Sequence, residues 1–299
     1  MFQLAPRPAS GEVIVVERPQ EGMPHRGKVL AAIQPHADDV PLYCAGTIAK
    51  LFAEGYTGYL IQTTNDEKCG PTPSLGATIL QNEQEVEVLT RILGFRRVFF
   101  LGYRNHTMDG DSSVELRLRL IFLFRLLQVD TVFTFNPWGH GEENPDHWVT
   151  AQAVEAACWM AGMDKDYPEH FAAGLQPHTV RERYYWAARR HQPYNRIVDI
   201  TAAIETKVAA LSVNKAQGPA GSSGSRLRAR LAAQGLRLPE LDGDAEAADR
   251  AYIRCFVLPT FQELGQTYGV GYAEPFFYVG SEDVTALDAY LVQHTVPLP

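Results

Sequence analysis

The 299-residue chain has little cysteine and no cysteine pattern. Its four thiols, Cys44, Cys69, Cys158 and Cys255, are widely spaced and form no Cys-x-x-Cys pair. That excludes a disulfide framework and a zinc–thiolate site, and it fits a reducing compartment. Long apolar runs are also missing. No stretch approaches the roughly 18 residues of a membrane span. The N-terminus MFQLAPRPASGEVIVVERPQEG lacks a basic segment followed by an apolar core, so it does not read as a secretory leader. A cytoplasmic place is the expectation. Basic blocks are scarce: the net charge is −8 and the pI about 5.6. The richest basic stretch, Arg226, Arg228 and Arg230, alternates along a Gly/Ser-flanked segment and reads as a solvated helix start or loop. No phosphate footprint is offered, which argues against a nucleic-acid partner.

What is present is alternation. Residues 1–27 are Pro-rich and irregular, with one β-like piece, EVIVVE. Then KVLAAI reads as a buried strand and PLYCAGTIAKLFAEG as a helix ending at Gly55. TGYLIQTT is a second strand, and TILQNEQEVEVLTRILG an amphipathic helix stopped at Gly94. RRVFFLG and SSVELRLRLIFLFRLLQ repeat the pair. DTVFTFN and NPDHWVTAQAVEAACWMAG repeat it again, with Asn144 as N-cap and Pro145 in the first turn. Four βα units predict an α/β fold, a mostly parallel sheet covered by helices on both faces. RERYYWAA and NRIVDI suggest two further strands, and TAAIETKVAALSVNKAQ a helix. Residues 218–225, GPAGSSGS, form the most flexible-looking stretch. Few residues follow it, and YAEPFFYV needs a larger core. The expectation is one domain over 1–299 with a surface insertion at 218–248.

In such a sheet, ligands bind beyond the carboxyl ends of the strands. Those ends carry His36-Ala37-Asp38-Asp39, then Thr63 to Glu67, then Tyr103-Arg104-Asn105-His106. The fourth carries Asn136 to His140, followed by Asn144-Pro145-Asp146-His147. Polar groups from four loops converge on one edge. His36 and Asp39, three apart at a strand-to-helix turn, can face one point and hold a divalent metal such as zinc. His147 is placed to complete the set. Two histidines and one carboxylate leave a coordination position open, as catalytic sites do. Asp38 points away from Asp39 and is free to take a proton. A lone His-x-x-Asp arises often by chance, as a cap or a local hydrogen bond. The joint placement is what carries the metal reading. The same turn lacks Gly-x-Gly-x-x-Gly, and its carboxylates would repel a pyrophosphate. No P-loop and no Gly-x-Ser-x-Gly elbow is present.

These residues resemble the PIG-L/LmbE-like zinc-dependent N-deacetylases. QPHADDVPLYCAGTIAKL is similar to that family's Pro-His-x-Asp-Asp signature, and NPDHWVTAQAV to its His-x-Asp-His element. LTRILG, VFFLGY and YAEPF fall in the expected order, so the resemblance runs from about residue 28 to about 280. It implies a Rossmann-like three-layer sandwich. Zinc or another divalent metal would be held by His36, Asp39 and His147, with Asp38 as general base and Asp146 behind a metal-binding histidine. It also implies removal of an acyl group, acetyl first, from an N-acylated amino sugar or its conjugate. An amidase acting on a larger conjugate and a silent metal- or sugar-binding protein remain alternatives, and a homo-oligomer stays open.

Three positions depart from the family pattern. Asn144 stands where a histidine would help stabilise the oxyanion, and His140, four residues earlier, is the candidate to replace it. Asn82 stands where an arginine often meets the sugar. Asn214-Lys215-Ala216-Gln217 stands where His-x-Ser-Gln is common. Tyr103, Arg104, Asn105 and Trp138 are the expected substrate contacts, with Arg104 suited to a phosphate or carboxylate through its planar guanidinium.

Overall fold

The continuous apolar runs form the strands of a mixed eight-stranded sheet. The computed structural model describes residues 7–8, 13–71, 74–189, 191–218, 220–280 and 286–297. Parts of the irregular 1–27 segment, Pro219 of the glycine-rich stretch, and residues 281–285 lie outside the described residues. In chain order the strands are β1 (Val15–Glu17), β2 (Val29–Gln34), β3 (Thr57–Thr64), β4 (Arg97–Tyr103), β5 (Thr131–Phe135), β6 (Glu182–Trp186), β7 (Arg196–Asp199) and β8 (Ala273–Val279). Their spatial order is β1-β7-β8-β6-β5-β2-β3-β4. Neighbours are parallel except at β8, which runs antiparallel to both β6 and β7.

The principal helices are α1 (Asp39–Tyr43), α2 (Ala45–Ala53), α3 (Leu75–Leu93), α4 (Ser113–Leu127), α5 (Pro145–Ala161), α6 (Ile204–Val213), α7 (Ser223–Ala232), α8 (Ala245–Tyr252) and α9 (Leu258–Thr267). Alternate side chains of β2 enter opposite layers. Leu30 and Ala32 pack with Ile48 and Leu51 of α2, Val86 and Leu89 of α3 and Val208 of α6. Ala31 and Ile33 pack with Leu120 and Phe124 of α4 and Val154 and Ala157 of α5. The sheet is therefore buried on both faces, which is why its central strands are apolar without alternation. Among the described residues, no helix is long and apolar enough to cross a membrane.

Two expectations are corrected. The single helix expected from Pro41 to Gly55 is two, broken at Cys44, whose φ is −145°. A buried ion pair organises the break. Lys207 of α6 and Glu274 of β8 meet at 2.7 Å, both fully buried. Lys207 Nζ donates to the carbonyls of Pro41 (3.2 Å) and Leu42 (2.7 Å), which the interruption leaves open. The Glu274 carboxylate accepts from the amides of Gly46 and Thr47 and from the Thr47 hydroxyl. Long-range groups thus end one helix and start the next, which local periodicity does not reveal.

The glycine-rich stretch is packed rather than loose. A Cβ on Gly221 would lie 1.5 Å from the Asn214 carbonyl oxygen, and one on Gly224 would lie 1.9 Å from that of Ala248. Glycine serves there as the residue thin enough for backbone to meet backbone. Helix α7 begins inside the stretch, and Asp249 anchors it by accepting from the Ser225 amide (2.7 Å) and Lys215 Nζ (2.8 Å).

Candidate metal centre

The chain runs from β2 to β3 and β4 on one side of β2, then crosses back to β5 on the other. The order therefore reverses between β2 and β5, where an open α/β sheet leaves a crevice at its carboxyl edge. His36 follows β2, and His147 lies in the first turn of α5, after β5.

The β2–α1 turn is fixed by buried hydrogen bonds. The His36 amide donates to Asp39 Oδ2 (2.8 Å), the Ala37 amide to Asp66 Oδ2 (2.8 Å), and the Val40 amide to Gln34 Oε1 (3.0 Å). Gln62 Nε2 and the Thr64 hydroxyl hold the Pro35 carbonyl from β3. Asp38 occupies the cap position of α1 but makes no cap hydrogen bond. Its neighbour Gly218 has φ +86°, and a Cβ there would lie 2.9 Å from Asp38 Cβ.

Three ligand-type atoms meet at this turn. His36 Nδ1 lies 3.0 Å from His147 Nε2 and 3.7 Å from an Asp39 oxygen, and His147 Nε2 lies 3.8 Å from the other Asp39 oxygen. A tetrahedral zinc with bonds near 2.0–2.1 Å needs ligand atoms about 3.3 Å apart, so the spacing fits. The tautomers fit as well. His36 Nε2 lies 3.0 Å from Asp146 Oδ2, and His147 Nδ1 lies 2.9 Å from Glu142 Oε1. Ionised carboxylates only accept, so those nitrogens carry the protons. With those protons directed outward, both inward nitrogens can present lone pairs to a metal ion; in its absence a proton on His36 Nδ1 bridges to His147 Nε2. Asp146 and Glu142 are the outer carboxylates that orient ligating histidines in metal sites. A second group, His36, His106 and Asp146, also gathers donor atoms. There the Asp146 oxygen is already occupied by His36 and by the His106 amide (2.7 Å).

The electrostatics point the same way. Burial pulls the His36 pKa down, but the Asp146 hydrogen bond and the charges of Asp66, Asp39 and Asp38 carry it up to about 10. Burial pushes the Asp39 carboxyl well up, with His36 opposing and Asp38 and Asp66 adding to it. Such excess negative charge holds a proton on His36 when no metal is bound and favours a divalent cation in its place. Burial also lowers the His147 pKa, keeping that ring neutral as a ligand must be. Burial pushes the Glu142 carboxyl up, but His147 and Arg189 more than offset it and hold it ionised.

Residues 31–158 match the profile of PIG-L, described as GlcNAc-PI de-N-acetylase. Over that stretch the chain is similar to the PIG-L family. A diacetylchitobiose deacetylase of Thermococcus kodakarensis is 28% identical over 201 residues, covering 64% of this chain and 71% of the relative. The solved N,N'-diacetylchitobiose deacetylase from Pyrococcus horikoshii superposes with a TM-score of 0.67 at 23% identity, covering 88% of both chains. A 4-carboxy-2-hydroxymuconate hydratase from Pseudomonas putida superposes at 0.62 with 15% identity, covering 86% of this chain and 98% of that one. One fold thus carries a deacetylase and a hydratase, so the chemistry has to be argued from the site.

Around this centre lies an open cleft of about 290 Å³, lined by His36, Asp38, Asp39, Tyr43, His106, Asn144, His147, Arg189 and Gln217 among others. Asn144 is there, but its Oδ1 caps α5 by accepting from the Asp146 amide (3.0 Å). His140 is exposed and does not line the cleft. Neither do the four expected substrate contacts. Tyr103 packs under the Arg119 guanidinium, 5.2 Å from its ring centre. Arg104 is tied to Glu67 at 2.8 Å. Asn105 is fully buried and braces Lys68 and Cys69. Trp138 is exposed, with its ring edge-on to Tyr185. Asn82 is also buried, donating to the carbonyls of Asp66, Cys69 and Thr78. Sequence reasoning missed Glu142, Tyr43 and Arg189. Glu142 sits five residues before His147, a spacing with no general signature. Arg189 comes from beyond β6 and is brought in by topology alone.

Proposed function

We propose that the protein is a metal-dependent hydrolase, using zinc, that removes an acetyl group from an N-acetylated amino sugar or a conjugate of one. The observation that carries this reading is the convergence of His36 Nδ1, His147 Nε2 and the Asp39 carboxylate, with Asp38 beside them making no cap hydrogen bond. The PIG-L match and the diacetylchitobiose deacetylase relative supply the substrate class. Bound at His36, Asp39 and His147, the metal would polarise the amide carbonyl and lower the pKa of water. The chain's own residues do the rest. Asp38 takes the proton of the attacking water as the new C–O bond forms and the carbonyl π pair moves onto oxygen. It returns that proton to the amine nitrogen as the C–N bond breaks, releasing acetate and the free amine. Asp146 and Glu142 hold the two imidazoles in register. Four free thiols suit a cytoplasmic place.

An amidase on a larger conjugate is the second reading. Tyr43 is a wall shared between the metal cleft and an apolar cavity of about 250 Å³ lined by Trp186, Tyr194, Phe261 and Leu264, room for an apolar arm. The test measures bound metal, then acid release from N-acetyl sugars and from longer N-acyl conjugates, for wild type and Asp38→Asn. Acetate release that falls about 10²–10⁴-fold in the variant, with metal retained, supports the first reading. A larger acid favours the second. Metal binding without release of either acid points to a silent binder. A chain that takes up no divalent metal refutes both hydrolase readings.

A further inference from the structure

Amide hydrolysis places a full negative charge on the former carbonyl oxygen, and preorganised donors facing that oxygen contribute most to such reactions. In this cleft Asn144 is uncharged and its side-chain oxygen is engaged in capping α5. His140 lies outside. Arg189 is the only lysine or arginine among the described residues that line the cleft. It is held there from two sides. Its Nη2 donates to Glu142 Oε1 at 3.0 Å, the same oxygen that accepts from His147 Nδ1. Its Nη1 reaches the Tyr43 hydroxyl at 3.5 Å. Burial raises the pKa of that hydroxyl, so it keeps its proton. Tyr43 accepts from the guanidinium, and its own hydrogen is directed elsewhere, as a donor polarised by a neighbouring cation.

We propose that Arg189, together with the Tyr43 hydroxyl it polarises, faces the tetrahedral oxyanion and supplies the positive charge that Asn144 does not. This rests on the hydrolase reading. As water adds to the carbonyl carbon, the π pair settles on the oxygen opposite Arg189 and Tyr43. When the C–N bond breaks, that pair returns to the carbon–oxygen bond, and Asp38 delivers its proton to the amine. Arg189 is neither consumed nor deprotonated. Its anchor on Glu142 sets the guanidinium at a fixed distance from the His147 side of the centre, so little reorganisation accompanies the charge.

The test compares zinc-loaded wild type, Arg189→Ala, Arg189→Lys and His140→Ala. Three readouts are taken: acetate release from N,N'-diacetylchitobiose, calorimetric binding of methylphosphonate as a tetrahedral anion, and zinc affinity. Arg189→Ala should lower kcat about 10²–10³-fold with KM little changed. It should weaken methylphosphonate about tenfold or more and leave zinc affinity unchanged. Arg189→Lys should retain part of both, and added guanidinium should restore turnover to the alanine variant. Equal methylphosphonate binding by wild type and Arg189→Ala overturns the proposal. So does a loss that appears in His140→Ala instead, or a parallel fall in zinc affinity, which would make Arg189 a support for Glu142 and His147. If the wild type releases no acetate, the deacetylase reading falls by itself, and methylphosphonate binding still decides the role of Arg189.

Discussion

The buried Lys207–Glu274 pair yields the sharpest stability prediction. Glu274→Gln keeps the shape of the side chain and removes its charge. The Lys207 ammonium is then left fully buried without a counter-charge, among the Pro41 and Leu42 carbonyls and the Phe261 ring. The new amide also turns its NH2 either towards the Gly46 amide and Lys207 or towards the Thr47 amide, all of them donors. Breaking a buried pair from one side costs about 3–5 kcal/mol. Unfolding entropy near 2.1 cal/mol/K per residue makes a chain of this length lose roughly 5–8 °C in Tm for that cost. Thermal unfolding by circular dichroism, with urea titration as a second measure, reads the shift. Adding Lys207→Met removes the stranded charge and should recover a large part of the loss, a coupling of about 2 kcal/mol. A Glu274→Gln protein within about 1 kcal/mol of wild type, or strictly additive variants, would refute the claim that this pair holds the α1–α2 corner.

Other outcomes follow from the site. Asp146→Asn should weaken zinc about 10–100-fold in a chelator competition, because His36 loses the carboxylate that fixes its tautomer. Unchanged affinity would mean that Asp146 does not orient the ring. Gly218→Ala should cost roughly 1–2 kcal/mol for a Cβ in the left-handed region. By pushing Asp38 it should also slow turnover roughly 10–100-fold while bound zinc stays constant. A normal rate would show that Asp38 is not constrained from that side. Burial raises the Glu17 pKa, but Lys50 and Arg196, at 2.9 and 3.0 Å, more than offset it and leave it below 4.5. The stabilisation is therefore present above pH 4.5 and is lost as the pH falls through the folded value. Glu17→Gln should flatten the acid limb of a stability–pH curve, and an unaltered limb would contradict the assignment.

Most of the fold was legible because burial on both sheet faces leaves apolar runs with few alternatives. Gly94 ends α3 with φ +90°, and Asn144 caps α5, both as the residue types suggested. The break at Cys44 was not legible, since Lys207 and Glu274 lie 163 and 230 residues further along the chain. The glycine-rich stretch misled for a related reason. Glycine marks both loose chain and close backbone approach, and only the packed neighbours Asn214 and Ala248 separate the two.

By itself the sequence determined the alternation of strands and helices, and with it the edge of the sheet on which His36, Asp38, Asp39 and His147 stand. Periodicity and strand-end position are local properties, and local chemistry is enough to read them. Tertiary structure alone decided which other groups meet there. Glu142 joins Asp146 in fixing the tautomers, Arg189 and Tyr43 enter the cleft, and His140, Tyr103, Arg104, Asn105 and Trp138 stay out of its lining. Those outcomes depend on the crossing of the chain at the switch between β2 and β5, and on side-chain direction after each strand. No spacing along the chain encodes either.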